Sequence, residues 1–270
     1  MIGTDELDTL LDVARGVVAE ASVLVAAARP EQVTSKSNPR DLVTEWDTRC
    51  EDLVRARLAA LTPDIPVIGE ERGGEAAEVG WLLDPIDGTV NFAHGLPIWS
   101  VALALAVGGR AEVGVIEAPR LGWSFWARRG GGGFYRDGRD EGRLQVSRVV
   151  AIGNALLVTG FPYDRATHPM NNFAEWVHFQ KIAGACRRLG AASLDLCVVA
   201  RGWLDGYWER RVQPWDVAAG ALLVEEAGGR VTSTAGTPFD AREGDVLASN
   251  GAIHEDMLIE LARVRAGGGL

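Results

Sequence analysis

Trp81-Leu82-Leu83-Asp84-Pro85-Ile86-Asp87-Gly88-Thr89 is the stretch on which the reading of this chain turns. A short apolar run ends in two aspartates three residues apart, with proline between them and glycine behind. Proline sets the backbone after Asp84, and glycine permits a tight turn after Asp87. The two carboxylates can therefore converge, and the Ile86 carbonyl can turn towards the same point. Hard oxygen donors of this kind suit Mg²⁺ or Mn²⁺ rather than zinc. Taken alone, the same pattern also describes an acidic turn that caps a helix.

Two other segments share its grammar. Val67-Ile68-Gly69-Glu70-Glu71 is an apolar run ending in acids, and Pro214-Trp215-Asp216 puts an aspartate at a helix start. Singly, Glu70 is a solvated loop acid and Asp216 a helix N-terminal charge. Together they deliver carboxylates from the ends of apolar segments, and in α/β folds sites assemble at the carboxyl ends of strands.

Around these segments the periodicity changes along the chain. Leu7, Leu10, Leu11, Ala14, Val17, Val18 and Ala21 predict an amphipathic helix ending before Pro30, and a second helix covers 44–61. Short strands are expected at 65–68 and 81–83. Residues 101–107 alternate large and small apolar side chains, as do parts of 111–117 and 123–127. The glycines at 130–133 read as a hairpin connection, since no Lys-Ser/Thr follows them to make a phosphate loop. Helices are expected at 170–183, 192–200, 215–227 and 251–265, and strands at 204–208, 230–232 and 246–249. The pattern predicts a mixed α/β protein with two lobes, about 1–145 and 146–270, the acidic segments lying mainly in the first.

Composition narrows the function classes. In 270 residues, 47% hydrophobic and 24% charged, there is enough apolar material for a sizeable core. Lys+Arg is 27 against Asp+Glu 37, a net charge of −10. That sign argues against nucleic-acid and membrane partners. No run reaches the ~18 apolar residues of a membrane span, and the acidic start lacks a signal-peptide layout. Cys50, Cys186 and Cys197 form no CxxC pair, and four histidines offer no zinc spacing. A cytoplasmic protein is expected.

Four blocks resemble the inositol monophosphatase family: KSNPRDLVTEWD at 36–47, GEE at 69–71, DPIDGTVNFAHGLP at 84–97 and WDVAAGALLVEEAGG at 215–229. They occur in family order and cover nearly the whole chain. The resemblance implies a layered α-β-α-β-α sandwich, a Mg²⁺-dependent, lithium-sensitive phosphatase, and a homodimer. It implies that Glu70, Asp84 and the Ile86 carbonyl hold one metal, and Asp84, Asp87 and Asp216 a second. Glu70 also touches a third, hydrated ion, and Mn²⁺ is a possible substitute. Glu70 and Thr89 then activate water, with Asp47 receiving the threonine hydroxyl, while the Gly88 and Thr89 amides grip phosphate. Lys36 adds a mobile positive charge.

For the substrate, the same resemblance points to Ala192 and Glu209 with Asp87 and Asp216. A carboxylate at 209 suits a polyol better than a second phosphate. The expected reaction is hydrolysis of a small phosphate monoester, inositol 1-phosphate first. Histidinol phosphate is the next candidate, with fructose bisphosphate or another sugar phosphate behind it. A non-catalytic binding protein on the same scaffold is the alternative class. Arg210 and Arg211 depart from the family pattern. Arg210 is a further candidate at the pocket edge for an anionic group, with a surface-facing pair as the plainer reading.

Overall fold

In the computed structural model, which describes residues 2–75, 77–138 and 140–267, the chain begins with α1 (Thr4–Ala26), β1 (Val33–Ser35), β2 (Leu42–Thr44) and α2 (Glu45–Leu61). There follow β3 (Val67–Gly69), β4 (Val79–Asp87), α3 (Thr89–Ala93), β5 (Ser100–Val107), β6 (Arg110–Ala118), β7 (Trp123–Arg128), β8 (Gly132–Arg136) and β9 (Glu141–Arg143). The remainder is β10 (Leu156–Thr159), α4 (Phe173–Ile182), β11 (Ala185–Arg187), α5 (Ala192–Ala200) and β12 (Gly206–Arg210). The last elements are α6 (Pro214–Glu226), β13 (Arg230–Thr232), β14 (Asp245–Ser249) and α7 (His254–Arg265).

Strands β3 to β9 form a seven-stranded sheet in sequence order, antiparallel except for the parallel β3–β4 pair. A five-stranded sheet has the order β11-β10-β12-β14-β13. Helices α1 and α2 cover one face of the larger sheet, α5 and α6 lie between the two sheets, and α4 and α7 cover the far face of the smaller one. The result is the expected five-layer sandwich.

The alternation in β5 explains how the layers fit. Val101, Leu103 and Leu105 face α1 and α2, whereas Ala102, Ala104 and Ala106 face α6. Small side chains on that face let α6 approach closely. A methyl group built on Gly114 of the neighbouring β6 would stand 3.0 Å from the Ala219 backbone. Helices α5 and α6 are apolar almost all round because both sides are covered. Asp195 is therefore conspicuous as a buried acid in the first turn of α5.

Some boundaries differ from expectation for physical reasons. The strand expected at 204–208 is β12, two residues later, because Asp205 is engaged in the preceding turn, accepting the Leu156 N–H at 2.6 Å. Strands β10 and β11 went unread, being too short for periodicity to register. Gly130 and Gly132 lie in the β7–β8 hairpin, where their N–H groups donate to Glu226 at 2.8 Å each. That loop grips a carboxylate of its own chain. Cys50, Cys186 and Cys197 are free and buried. Among the described residues no helix is long and apolar enough to cross a membrane.

Candidate active site

Strand β4 runs nine residues and is buried from Gly80 to its end. Its pairing with β5 shifts register between Asp84 and Asp87, at Pro85. A bulge there re-aims the strand end, and Asp84, Ile86 and Asp87 all reach the wall of one pocket. The turn that follows needs glycine. Gly88 has φ +91°, and a Cβ there would lie 3.1 Å from the Ala191 methyl and 3.1 Å from the Ile98 carbonyl. Thr89 then opens α3 beside the same pocket.

The other segments bring two more acids to the same pocket. Glu70 arrives on the loop after β3, and Asp216 arrives in the first turn of α6. Asp216 Oδ2 accepts the Gln213 N–H at 2.8 Å, which ties the helix start while leaving its other oxygen available. Ala192 and Glu209 line the same pocket. Asp87 is anchored on α5, accepting the N–H of Ala192 at 3.2 Å and of Ser193 at 2.7 Å. The Ser193 hydroxyl also donates to it.

Asp47 stands behind this wall and reaches it through Thr89. One carboxylate oxygen accepts the Thr44 N–H at 2.8 Å as part of the α2 capping box. The other lies 3.1 Å from the Thr89 hydroxyl, which is also 3.0 Å from the Ile86 carbonyl. The single hydroxyl proton can serve either acceptor. Burial, reinforced by the charge of Glu70, pushes Asp47 up to about 6. Lys36 pairs with Glu70 at 2.8 Å and with Glu71.

Arg210 does not join the pocket. Successive residues of a strand face opposite sides. Glu209 shares the inner face with Tyr207, whose hydroxyl donates to it at 2.8 Å. Arg210 projects to the outer face and pairs with Glu175 of α4. The strand ends there, Arg211 takes φ +65°, and it is Arg211 that reaches the pocket mouth, held by Asp164 at 2.6 Å and His168 at 2.9 Å.

Asp195, Tyr163 and Arg188 belong to the pocket wall without having been expected there from the sequence, while Ser193, next to the expected Ala192, supports the site without lining the pocket. Ser193 orients Asp87. Asp195 is 1% exposed, lines the pocket and has one oxygen without a partner. Tyr163 and Arg188 form part of the wall. An acid inside an otherwise apolar helix was a legible signal for Asp195; Tyr163 and Arg188 lie in loops where nothing local marks them.

The electrostatics test whether cations fit here. Asp84 is pushed well above the usual carboxylate range by burial and then by Glu70, Asp87 and Asp216. Asp216 is raised by burial and by Glu70 and Asp87, and burial lifts Asp87 to about 6. Four acids crowd together with Lys36 as the cation paired to one of them. Among the described residues no three Asp, Glu, His or Cys side chains are drawn into a closed cage. Lys36 holds Glu70 aside, and Asp87 leans on α5. The donor set is nevertheless all oxygen, mutually repelling and poor in counter-charge, which fits divalent cations of the hard type.

Residues 6–265 match a family model described as the inositol monophosphatase family. An inositol-1-monophosphatase of Synechocystis sp. is 36% identical over 263 residues, covering 95% of this chain and 90% of that protein. A Pseudomonas aeruginosa protein named Nus factor SuhB is 40% identical over 225 residues, covering 80% of this chain and 81% of its own. The solved inositol monophosphatase of Anabaena (Nostoc) sp. superposes with a TM-score of 0.86 at 36% identity, covering 95% of this chain and 96% of that one.

Proposed function

The chain belongs to the inositol monophosphatase family of metal-dependent phosphomonoesterases, and from that premise we propose that it hydrolyses a small polyol phosphate, inositol 1-phosphate first, to the polyol and phosphate. Glu209 carries the choice of substrate. Its carboxyl is buried against Gly160, where a Cβ would fall 2.0 Å from Glu209 Oε2. Burial lifts it to about 7, opposed by the Tyr207 hydrogen bond and by Arg188. Near neutral pH such a group is a mixture of acid and carboxylate. A polyol hydroxyl can donate to one form and accept from the other, whereas the ammonium of histidinol phosphate pairs only with the ionised form.

Glu70, Asp84, the Ile86 carbonyl, Asp87 and Asp216 would hold two to three Mg²⁺ ions, or Mn²⁺ in substitution, supplying the positive charge that phosphoryl transfer needs around its oxygens. The Gly88 and Thr89 N–H groups take phosphate oxygens at the start of α3. Glu70 and Thr89 orient the attacking water. As the Thr89 hydroxyl accepts the water proton, it passes its own to Asp47, whose raised proton affinity suits that task. The Nus factor name of one relative raises a binding role, but a pocket that keeps all four carboxylates and Thr89 favours catalysis.

Two measurements test this. Thr89→Ala is expected to lower kcat by about 10²–10³-fold, with Thr89→Ser restoring most of it; turnover of the alanine variant within a few-fold of wild type would refute the relay. In a comparison of kcat/KM, inositol 1-phosphate should exceed histidinol phosphate. Glu209→Gln should raise KM for inositol 1-phosphate about tenfold and leave p-nitrophenyl phosphate unaffected. Equal losses on both substrates would remove Glu209 from substrate recognition.

A further inference from the structure

Helix α2 carries two buried acids about one turn apart. Asp47 meets Thr89. Glu51 lies on the same face of the helix, is fully buried, and turns instead to the loop that presents Glu70. Its Oε2 accepts the Glu71 N–H at 2.7 Å, and its Oε1 accepts the Arg72 N–H at 3.0 Å and the Arg55 Nε–H at 2.7 Å. Arg55 continues across the loop, donating to the Val67 carbonyl at 2.9 Å and to the Gly73 carbonyl. Within the loop the Gly69 N–H closes on the Gly73 carbonyl at 2.9 Å, and the Glu70 N–H donates to the Leu83 carbonyl at 3.2 Å.

A Glu–Arg pair four residues apart commonly lies on a helix surface and contributes little. The surroundings of this pair are different. A carboxylate taken fully out of water is costly unless donors meet it. Here two of its three donors are main-chain amides of the residues directly after Glu70. Leu83, which receives the Glu70 N–H, directly precedes Asp84. The peptide groups on both sides of Glu70 are thereby fixed, one against α2 and the other against the strand that ends in Asp84 and Asp87. Gly69 serves the same contact. A Cβ there would fall 2.3 Å from Glu51 Oε1, so glycine is what lets the carboxylate come up under the turn. Both carboxylate oxygens are in use as acceptors. Glutamine has a single acceptor oxygen, and its amide nitrogen would face another N–H.

We propose that Glu51, braced by Arg55, is a positioning residue for Glu70: it holds the turn 69–73 in the arrangement that keeps Glu70 in the wall shared with Asp84 and Asp87, and the cation affinity of the pocket depends on it. The proposal rests on the reading of Glu70 as a cation ligand. Groups that hold a ligand in place set how much ordering a cation must impose as it binds, and their loss weakens binding even when every ligand is still present.

The test uses Glu51→Gln and Gly69→Ala, with Asp52→Asn as the control, since Asp52 is an exposed acid of the same helix whose partner is the Arg72 side chain. In chelator, hydrogen exchange over residues 69–73 should quicken about tenfold or more in Glu51→Gln, with β4 and β5 as protected as in wild type. Calorimetric titration with Mg²⁺ alone should give an affinity about tenfold weaker, and turnover of p-nitrophenyl phosphate should need correspondingly more Mg²⁺ to reach its plateau. Gly69→Ala, whose methyl displaces the carboxylate without removing its charge, should reproduce both effects and carries the test if Glu51→Gln does not fold. Asp52→Asn should match wild type throughout. Unchanged exchange at 69–73 overturns the proposal, as does faster exchange with unchanged Mg²⁺ affinity. An equal loss in Asp52→Asn also overturns it, by assigning the effect to helix charge. Glu70→Gln separates the two readings. If it leaves Mg²⁺ affinity unchanged, Glu70 is not a cation ligand; if it weakens affinity while Glu51→Gln and Gly69→Ala do not, only the positioning role is refuted.

Discussion

Asp84→Asn is expected to lower kcat by about 10³-fold or more without disturbing the fold. Asp84 is 2% exposed and stands where Glu70, Asp87 and Asp216 all press on its charge. Asparagine has the same shape, and its side-chain oxygen can still accept the Ile86 N–H, now 3.0 Å from Asp84 Oδ1. What disappears is an anionic donor at the centre of the cluster. The same substitution relieves repulsion when no cation is present, so the variant in chelator should melt at or above the wild-type temperature. Kinetics and thermal denaturation of one protein preparation check both halves. Near-wild-type turnover would remove Asp84 from cation binding, and a lower melting temperature in chelator would mean that the crowding of charge is not what the geometry indicates.

Removal of divalent cations is expected to abolish turnover, with activity returning on addition of Mg²⁺. The pocket alone cannot attract a phosphate dianion, because Glu70, Asp84, Asp87 and Asp216 present four formal negative charges to it. Chelation also exposes a dependence of stability on pH. Asp47 and Asp87 are raised to about 6 and Glu209 to about 7, all above the values of about 4 that they regain on unfolding. Below about pH 4 both states hold these protons and the groups cost nothing. Between about 4 and 7 the folded state holds more of them, so stability falls as pH rises through that window. The chelated protein should therefore melt several degrees higher at pH 5.5 than at pH 7.5, and Mg²⁺ should narrow the gap. An unchanged melting temperature across that range, or full activity in chelator, would refute the carboxylate cluster as a cation site.

Much of this site was legible before any fold was known. Proline and glycine around Asp84 and Asp87 constrain the backbone locally, so their convergence follows from three or four adjacent residues. Arg210 and Arg211 show the opposite case. Which of two adjacent arginines reaches the pocket depends on where β12 ends and on the face that Glu209 takes. Both are set by pairing with β14, whose Asp245 lies opposite Arg210, some 35 residues away in the chain.

Asp47 belongs to both levels. Its place three residues after Thr44 makes it a capping-box acid by spacing alone, and its second oxygen meets Thr89 only because α2 packs against β4. Sequence by itself determined which donors exist, the strand-end grammar that presents them, and the apolar periodicities of the longer helices and strands. Tertiary structure decided which oxygens face one another, how far burial raises their proton affinity, and which of two adjacent arginines reaches the pocket. The division has one cause. Backbone preference and periodicity act over a few residues, whereas desolvation and charge–charge energy depend on groups that the fold brings together from separate elements, as Asp216 is brought to Asp84 and Asp87 from more than 100 residues away.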